Sequence, residues 1–393
     1  MFTHRDMMRE WGMSSSDAML DRGALLHARG HIAAAIKQYH EVLTAQPHDL
    51  EARSNLAHAL LEIGESTQAF AVLHGAPAVV RDHPLLQATA AALHCALGQY
   101  APALQLLAPL TASGRTDEMA WINLALAQRE LGADHQACAA LREACDINPD
   151  NARAAADLCA QLISIGRAAE ACIVADEFLE RHPQDRQVLA VCALALRETG
   201  RDDEANEISD PLTMVEVLDH DAESLPTGLL DELCHHLAEH PLAIQSPASK
   251  ATRGGLQTGE LDPKSHPALA AVAHWISAQL PIECRGLRWW ATCLTAGGRQ
   301  LPHIHPQSDW SGVFYLELPA MMQAEDALAG ALEVGSVPQH IRLRRDAPRQ
   351  CIAPAPGKLV LFPSHLWHQT LEFDATGRRI SLAFDALAAP TDH

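Results

Sequence analysis

Small and apolar positions recur with a 34-residue period through the first half of the chain. Gly30, Gly64, Gly98, Gly132, Gly166 and Gly200 mark the period, and alanine follows each one five residues later, at Ala35, Ala69, Ala103, Ala137, Ala171 and Ala205. Seven residues before each glycine the side chain is again small: Gly23, Ala57, Ala91, Ala125, Cys159 and Ala193. This pattern predicts six helix–turn–helix units, residues 16–49, 50–83, 84–117, 118–151, 152–185 and 186–219. Glycine suits the turn because it takes left-handed dihedrals without steric cost. The small residues suit helices that cross too closely for larger side chains. Pro47, Pro149 and Pro183 close units at one register, where a missing N–H and a clash with the preceding turn stop a helix. In units three and six that register holds Arg115 and Val217, and Pro102 and Pro109 are expected to interrupt the second helix of unit three.

From about residue 220 the pattern changes. Ten of the seventeen aromatic residues lie between His220 and His393. Residues 226–242 and 266–280 carry apolar positions near helical spacing and predict two amphipathic helices. Short segments rich in aromatic and β-branched residues follow: LRWWATCLT, SGVFYLEL, ALEVGS, HIRLRR, GKLVLFP and RRISLAF. Gly or Pro separates several of them, so six or more strands are expected. Helices followed by a run of strands predict a β-sandwich or barrel with helices on one side. The expected organisation is an α + β multidomain chain: a 1–15 extension, a helical repeat array over 16–219 and a β domain over 220–393.

Composition narrows the function classes. The chain is 48% hydrophobic and 20% charged, with a net charge of −20. That excludes a disordered chain and argues against non-specific attraction to nucleic acid or anionic membrane. Ten cysteines occur without any CxxC pair, which argues for buried thiols rather than structural zinc. No signal-peptide core or membrane-spanning stretch is present in the sequence, so a reducing, cytoplasmic setting is expected.

The period, the small residues and the terminal prolines resemble the tetratricopeptide repeat. The resemblance implies a superhelix whose concave face binds a peptide or protein partner. Self-association into a homo-oligomer, or spacing of the second domain, is the other reading.

Three histidines carry the candidate chemistry: His303 and His305 in LPHIHPQSDW, and His368 in FPSHLWHQT. Side chains two apart on an extended chain project to one face, so two imidazoles can reach one metal ion. The third ligand then comes from another strand. On RRISLAF, Arg379 and Ser381 share one face, while Ile380, Leu382 and Phe384 share the apolar one, which makes Arg379 rather than Arg378 the inward arginine.

HIHPQSDWSGVFYL, PGKLVLFPSHLWHQT and RRISLAF together, with RGGLQTGEL at 253–261, resemble the Fe(II)/2-oxoglutarate-dependent oxygenases built on a double-stranded β-helix, a jelly-roll or cupin-like fold. The match spans about 250–386. It implies a hydroxylase that uses Fe(II) with 2-oxoglutarate as co-substrate. His303 and His368 would be iron ligands, Arg379 would anchor the distal carboxylate of 2-oxoglutarate, and Ser381 would add a hydrogen bond. The family expects a carboxylate where His305 stands. Either His305 is itself the third ligand, or it lies behind the metal and Asp309 returns to supply the carboxylate; two-residue spacing favours His305. A barrel that has lost activity and serves as a binding module in a non-catalytic scaffold is the alternative outcome.

Three further features have ordinary explanations beside functional ones. HLAEH at 236–240 matches an inverted zinc-peptidase pattern, but Pro241 ends the helix there, and a solvated helix terminus is the expected reading. Trp289, Trp290, Trp310 and Trp367 either line a substrate pocket or pack a β core, core packing being the commoner role. His365 is a decoy three residues before His368.

Overall fold

The computed structural model describes residues 15–114, 116–219, 228–238, 240, 243–246, 250–322 and 328–388. The 1–15 extension, apart from Ser15, lies outside them, as do Arg115, Glu239 and Pro241. The chain divides into two compact units, 1–144 and 145–393.

The repeat positions have a clear physical basis. All six period glycines have positive φ, between 69° and 84°. Each ends a first helix with paired bonds. In unit six the Gly200 N–H donates to Arg197 O and the Arg201 N–H to Leu196 O, and unit four repeats this from Gly132 to Arg129 and from Ala133 to Gln128. These bonds satisfy carbonyls that a helix end leaves open. The alanines five residues on are fully buried in every unit. A further periodic position emerges at Asp49, His83, Asp117, Asn151 and Asp185. Each caps the next first helix by accepting a backbone N–H.

In the first unit, helices α1 (Ser15–Ala28) to α7 (Glu118–Glu130) alternate as expected, and α8 (Asp134–Ile147) begins in it. Helix α6 (Tyr100–Ala112) is not interrupted by proline. Pro102 sits in its first turn, where an N–H has no helical partner, and Pro109 is carried inside the helix.

The second unit begins with the last repeats: α9 (Ala152–Ser164), α10 (Ala168–Leu179), α11 (Arg186–Glu198) and the short α12 (Asp202–Ile208). A one-turn helix α13 (Pro211–Met214) leads to strand β1 (Glu216–Asp219). By the repeat period these four residues would finish the sixth unit. They instead pair with β8 (Lys358–Pro363), Val217 standing opposite Val360, because β8 would otherwise present an unpaired edge.

The sheet runs β1-β8-β5 (Trp310–Glu317)-β10 (Arg379–Ala388)-β4 (Cys284–His303)-β9 (His368–Thr370)-β6 (Leu332–Val334)-β7 (Gln350–Ile352); off this path β3 (Thr252–Thr258) pairs with β4, and β2 (Ala243–Gln245) with β3. Its pairings are antiparallel. The 20-residue β4 (Cys284–His303) pairs with β10 (Arg379–Ala388) along its first half and with β9 (His368–Thr370) at its end, with register shifts along the way. One strand thus serves both halves of a curled, half-barrel sheet of jelly-roll type. The segment LRWWATCLT picked out from the sequence ends at Thr295, short of the end of this strand.

Side chains on the central strands alternate between two cores. Phe314 and Leu316 of β5 (Trp310–Glu317), Leu359 and Leu361 of β8, and Ile380, Leu382 and Phe384 of β10 pack with Leu233 of α14 (Leu229–Ala238) and Val272 and Ile276 of α15 (Pro267–Gln279). The residues between them, Val313, Tyr315, Val360 and Phe362, face the interior of the curl with Leu332 and Val334 of β6 (Leu332–Val334). The expected helices are thus present and cover one side only.

HIRLRR at 340–345 is not a strand. Its backbone donors are taken by helix ends of the last repeats: the Arg342 N–H donates to Ser164 Oγ, and the Arg344 and Arg345 N–H groups to the Glu198 carboxylate. Arg345 also donates to Arg197 O (2.5 Å) and Asp202 (2.7 Å), which places a cation at a helix C-terminus. The Arg344 guanidinium lies against Gly166, where any side chain would collide with it. A short strand β7 (Gln350–Ile352) follows and pairs with β6.

Candidate metal centre

His303 ends β4 and His368 opens β9, directly opposite it in the ladder. His305 lies two residues beyond, on a loop pinned by its own N–H to Ser364 O. The three imidazoles converge, with ring centroids 4.2 Å apart for 303–368, 5.0 Å for 303–305 and 5.1 Å for 305–368. One ligand atom of each falls within 4.8 Å of the other two, and this is the one such group of His, Cys, Asp or Glu among the described residues.

The ring nitrogens have divided tasks. His303 Nδ1 lies 2.7 Å from Leu301 O and His368 Nδ1 lies 2.9 Å from Leu366 O. A carbonyl accepts only, so each Nδ1 carries the proton and Nε2 keeps its lone pair for a metal. His305 Nδ1 faces a carboxylate instead, that of Asp385, at 3.1 Å. Burial lowers the pKa of His303 to about 3 and that of His368 well below the ordinary imidazole value, and the neighbouring rings push the same way. Neutral imidazole is the ligating form.

Asp309 is not in this group. Its carboxylate accepts from Arg186 of α11 at 2.6 Å and from the Ala388 N–H at 2.8 Å. His365 also points elsewhere, its Nε2 donating to Ile208 O at 2.7 Å.

Arg379 shares the pocket that the three histidines line, with Ser381, Trp290 and Phe362. Its side chain is 1% exposed, whereas Arg378 is exposed and pairs with Glu317. Arg379 Nε donates to Gly330 O and one terminal nitrogen donates to Ser381 Oγ, which in turn meets Thr292 Oγ1 at 2.8 Å. The guanidinium lies 4.9 Å from the centre of the Tyr315 ring. No carboxylate pairs with it among the described residues, and the buried Tyr315 hydroxyl makes no well-formed hydrogen bond. A buried guanidinium without a counter-charge is costly unless a ligand carboxylate completes it. The donor set therefore fits both iron and a dicarboxylic keto acid.

The tryptophans divide between the two expected roles. Trp289 packs on Phe384 and Trp310 joins the helix-covered core. Trp290 stacks on His305 and lines the pocket. His236 stacks on His266 at 4.3 Å rather than forming a metal group; Glu239, the other member of that pattern, lies outside the described residues.

Asp385 is the site residue that sequence reasoning misses, although the signal is present. Arg379, Ser381, Ala383 and Asp385 lie at every second position of β10, so extending the inward face by two steps reaches the carboxylate.

Residues 288–385 match the family described as "Putative 2OG-Fe(II) oxygenase", and residues 26–93 and 120–151 match tetratricopeptide repeat families. Similar solved structures include the pilF protein of Pseudomonas aeruginosa (17% identical, 49% of this chain and 87% of that one, TM-score 0.41). A thermophilic TPR protein of Thermus thermophilus is 22% identical over 47% of this chain and 100% of that one, with a TM-score of 0.40. A prolyl-4-hydroxylase of Pseudomonas putida is 21% identical over 46% of this chain and 95% of that one, with a TM-score of 0.33. No curated protein matches the chain. No described helix is long and apolar enough to cross a membrane. The family matches show tetratricopeptide repeats in the N-terminal part of this chain and a 2OG-Fe(II) oxygenase domain in its C-terminal part.

Proposed function

We propose that the protein is an Fe(II)- and 2-oxoglutarate-dependent dioxygenase that hydroxylates a protein or peptide substrate recruited by its repeats. One observation carries the reading: three imidazoles whose ligand atoms lie within 4.8 Å of one another and a buried arginine without a counter-carboxylate line the same pocket. His303, His305 and His368 would hold the iron. Arg379 and Ser381 would bind the distal carboxylate of the co-substrate, with the Tyr315 hydroxyl as a further donor. When bound, iron with 2-oxoglutarate would supply the oxidising chemistry, in which dioxygen puts one oxygen atom into the succinate formed as the keto acid loses carbon dioxide and the other into a substrate C–H bond. Trp290 and Phe362 wall the cavity and limit water near the reacting centre. The division of labour falls at β1: the repeats before it bind the substrate, and the sheet from β1 onward acts on it. The choice of a protein substrate follows from the repeats' general use as binding surfaces and from the effective concentration that tethering gives.

Purified full-length protein given Fe(II), 2-oxoglutarate and oxygen should release succinate, slowly even without substrate, and His368→Ala should abolish the release. A folded protein that takes up no iron and forms no succinate would instead be the scaffold with an inactive barrel. The substrate is then found as proteins that gain 16 mass units in cells with the wild type and not with His368→Ala.

A further inference from the structure

The metal-binding face of a facial triad ordinarily carries one negative charge, and three neutral imidazoles carry none. The missing charge is close by. Asp385 is 8% exposed, and its carboxylate lies 3.1 Å from His305 Nδ1. Ser311 donates to it at 2.8 Å, and the Ser364 hydroxyl sits 2.8 Å behind Ser311. Among the described residues no Lys or Arg pairs with it. Arg288, opposite it in the ladder, pairs with Glu260 instead. Hydroxyl donors and one imidazole hold this buried carboxylate in its charged form, and a cation beyond that imidazole would be stabilised by it.

We infer that Asp385 is a positioning residue of the metal centre, acting through His305 to fix its Nε2 toward the ion and to supply the charge that the ligand set lacks. The inference rests on the oxygenase reading of the site. It differs from the sequence expectation that a carboxylate, if needed, would come from Asp309 as a direct ligand. The geometry places the charge behind one imidazole, on its Nδ1 side.

The test is Co(II) and Fe(II) affinity of the full chain, measured anaerobically by competition with a chromophoric chelator. Asp385→Asn keeps the shape and an acceptor for His305 and removes only the charge. It should weaken metal binding about 10- to 100-fold, the range for outer partners of metal-bound histidines, with circular dichroism unchanged. Asp385→Glu should recover part of the loss. In a His305→Ala background, Asp385→Asn should add less than about a twofold loss, because its route to the metal is gone. Wild-type affinity in Asp385→Asn would overturn the inference. A large additional loss in the His305→Ala background would also overturn it, since Asp385 would then meet the metal directly. Should Asp385→Asn not fold, Ser311→Ala loosens the same carboxylate and should cost about fivefold in affinity, the worth of one hydrogen bond; no change there would count against the inference. A folded wild type that binds neither metal would overturn the oxygenase reading itself, which no Asp385 result can do.

Discussion

The repeats and the sheet hold their key residues in place over very different distances along the chain. In a repeat, the glycine, the buried alanine and the cap that define it lie within one 34-residue unit, and each contact repeats in the next. In the sheet, the three imidazoles and the guanidinium come from three strands and a loop spread over residues 303–379. A stack of units spreads its stability over many similar contacts, whereas the sheet concentrates its chemistry at one convergence. Changes in the repeats should therefore alter stability and leave the chemistry alone. Changes on the inner face of the sheet should do the opposite.

The largest expected effect is at Arg379. Arg379→Met should raise the 2-oxoglutarate concentration for half-maximal succinate release about thirtyfold or more, as loss of one partner of a buried charge pair costs ~2–5 kcal/mol. Iron affinity should change less than about threefold by chelator competition. Equal loss of both would give Arg379 a structural role and break the contrast. Three residues along the same strand, Leu382 faces the helices and is fully buried. Leu382→Ala should lower unfolding free energy by about 2–5 kcal/mol in urea titration and leave the half-saturating 2-oxoglutarate concentration of the folded fraction unchanged.

Ala137, fully buried in the fourth repeat, tests the other side. Ala137→Leu should cost about 1–3 kcal/mol of stability through overpacking, without changing uncoupled succinate release per folded molecule. The smallest and most gradual effect is on pH. His303 and His368 have pKa values in the fold lowered below the unfolded value of about 6.5. Above pH ~6.5 both states are neutral at these residues and contribute nothing. As pH falls from there toward about 3, the unfolded chain takes up protons that the folded one refuses, so metal-free stability declines. Urea midpoints of the metal-free protein at pH 7 and pH 5 should show the decline, and His303→Gln should make it shallower.

Much of this arrangement is legible in the sequence, for reasons that differ between the two regions. The period is visible because glycine and alanine are demanded by backbone dihedral and by close approach, which few other residues satisfy. The caps are hidden because Asp49, His83 and Asn151 perform one task with three different side chains. His303, His305, His368 and Arg379 can be singled out because their residue types and spacing suit metal and carboxylate binding, and strand alternation selects Arg379 over Arg378. The tie between Arg186 and Asp309 spans 123 residues, and no local pattern announces it. HIRLRR has the alternation of a strand, but alternation alone does not say whether backbone donors meet another strand or a helix end. Asp385 escapes notice because it follows the apolar run RRISLAF by one residue, where the strand pattern already looks complete.

Strand β1 has a practical consequence for anyone dividing this protein. Cutting at residue 220, where composition shifts, would strip the border from the sheet and leave Leu359, Val360 and Leu361 beside a row of vacant amides. Such a fragment would invite intermolecular stacking rather than yield a minimal enzyme. The smallest piece worth expressing starts within the helices, so recombination or engineering that exchanges the array must carry its last turns along with the barrel.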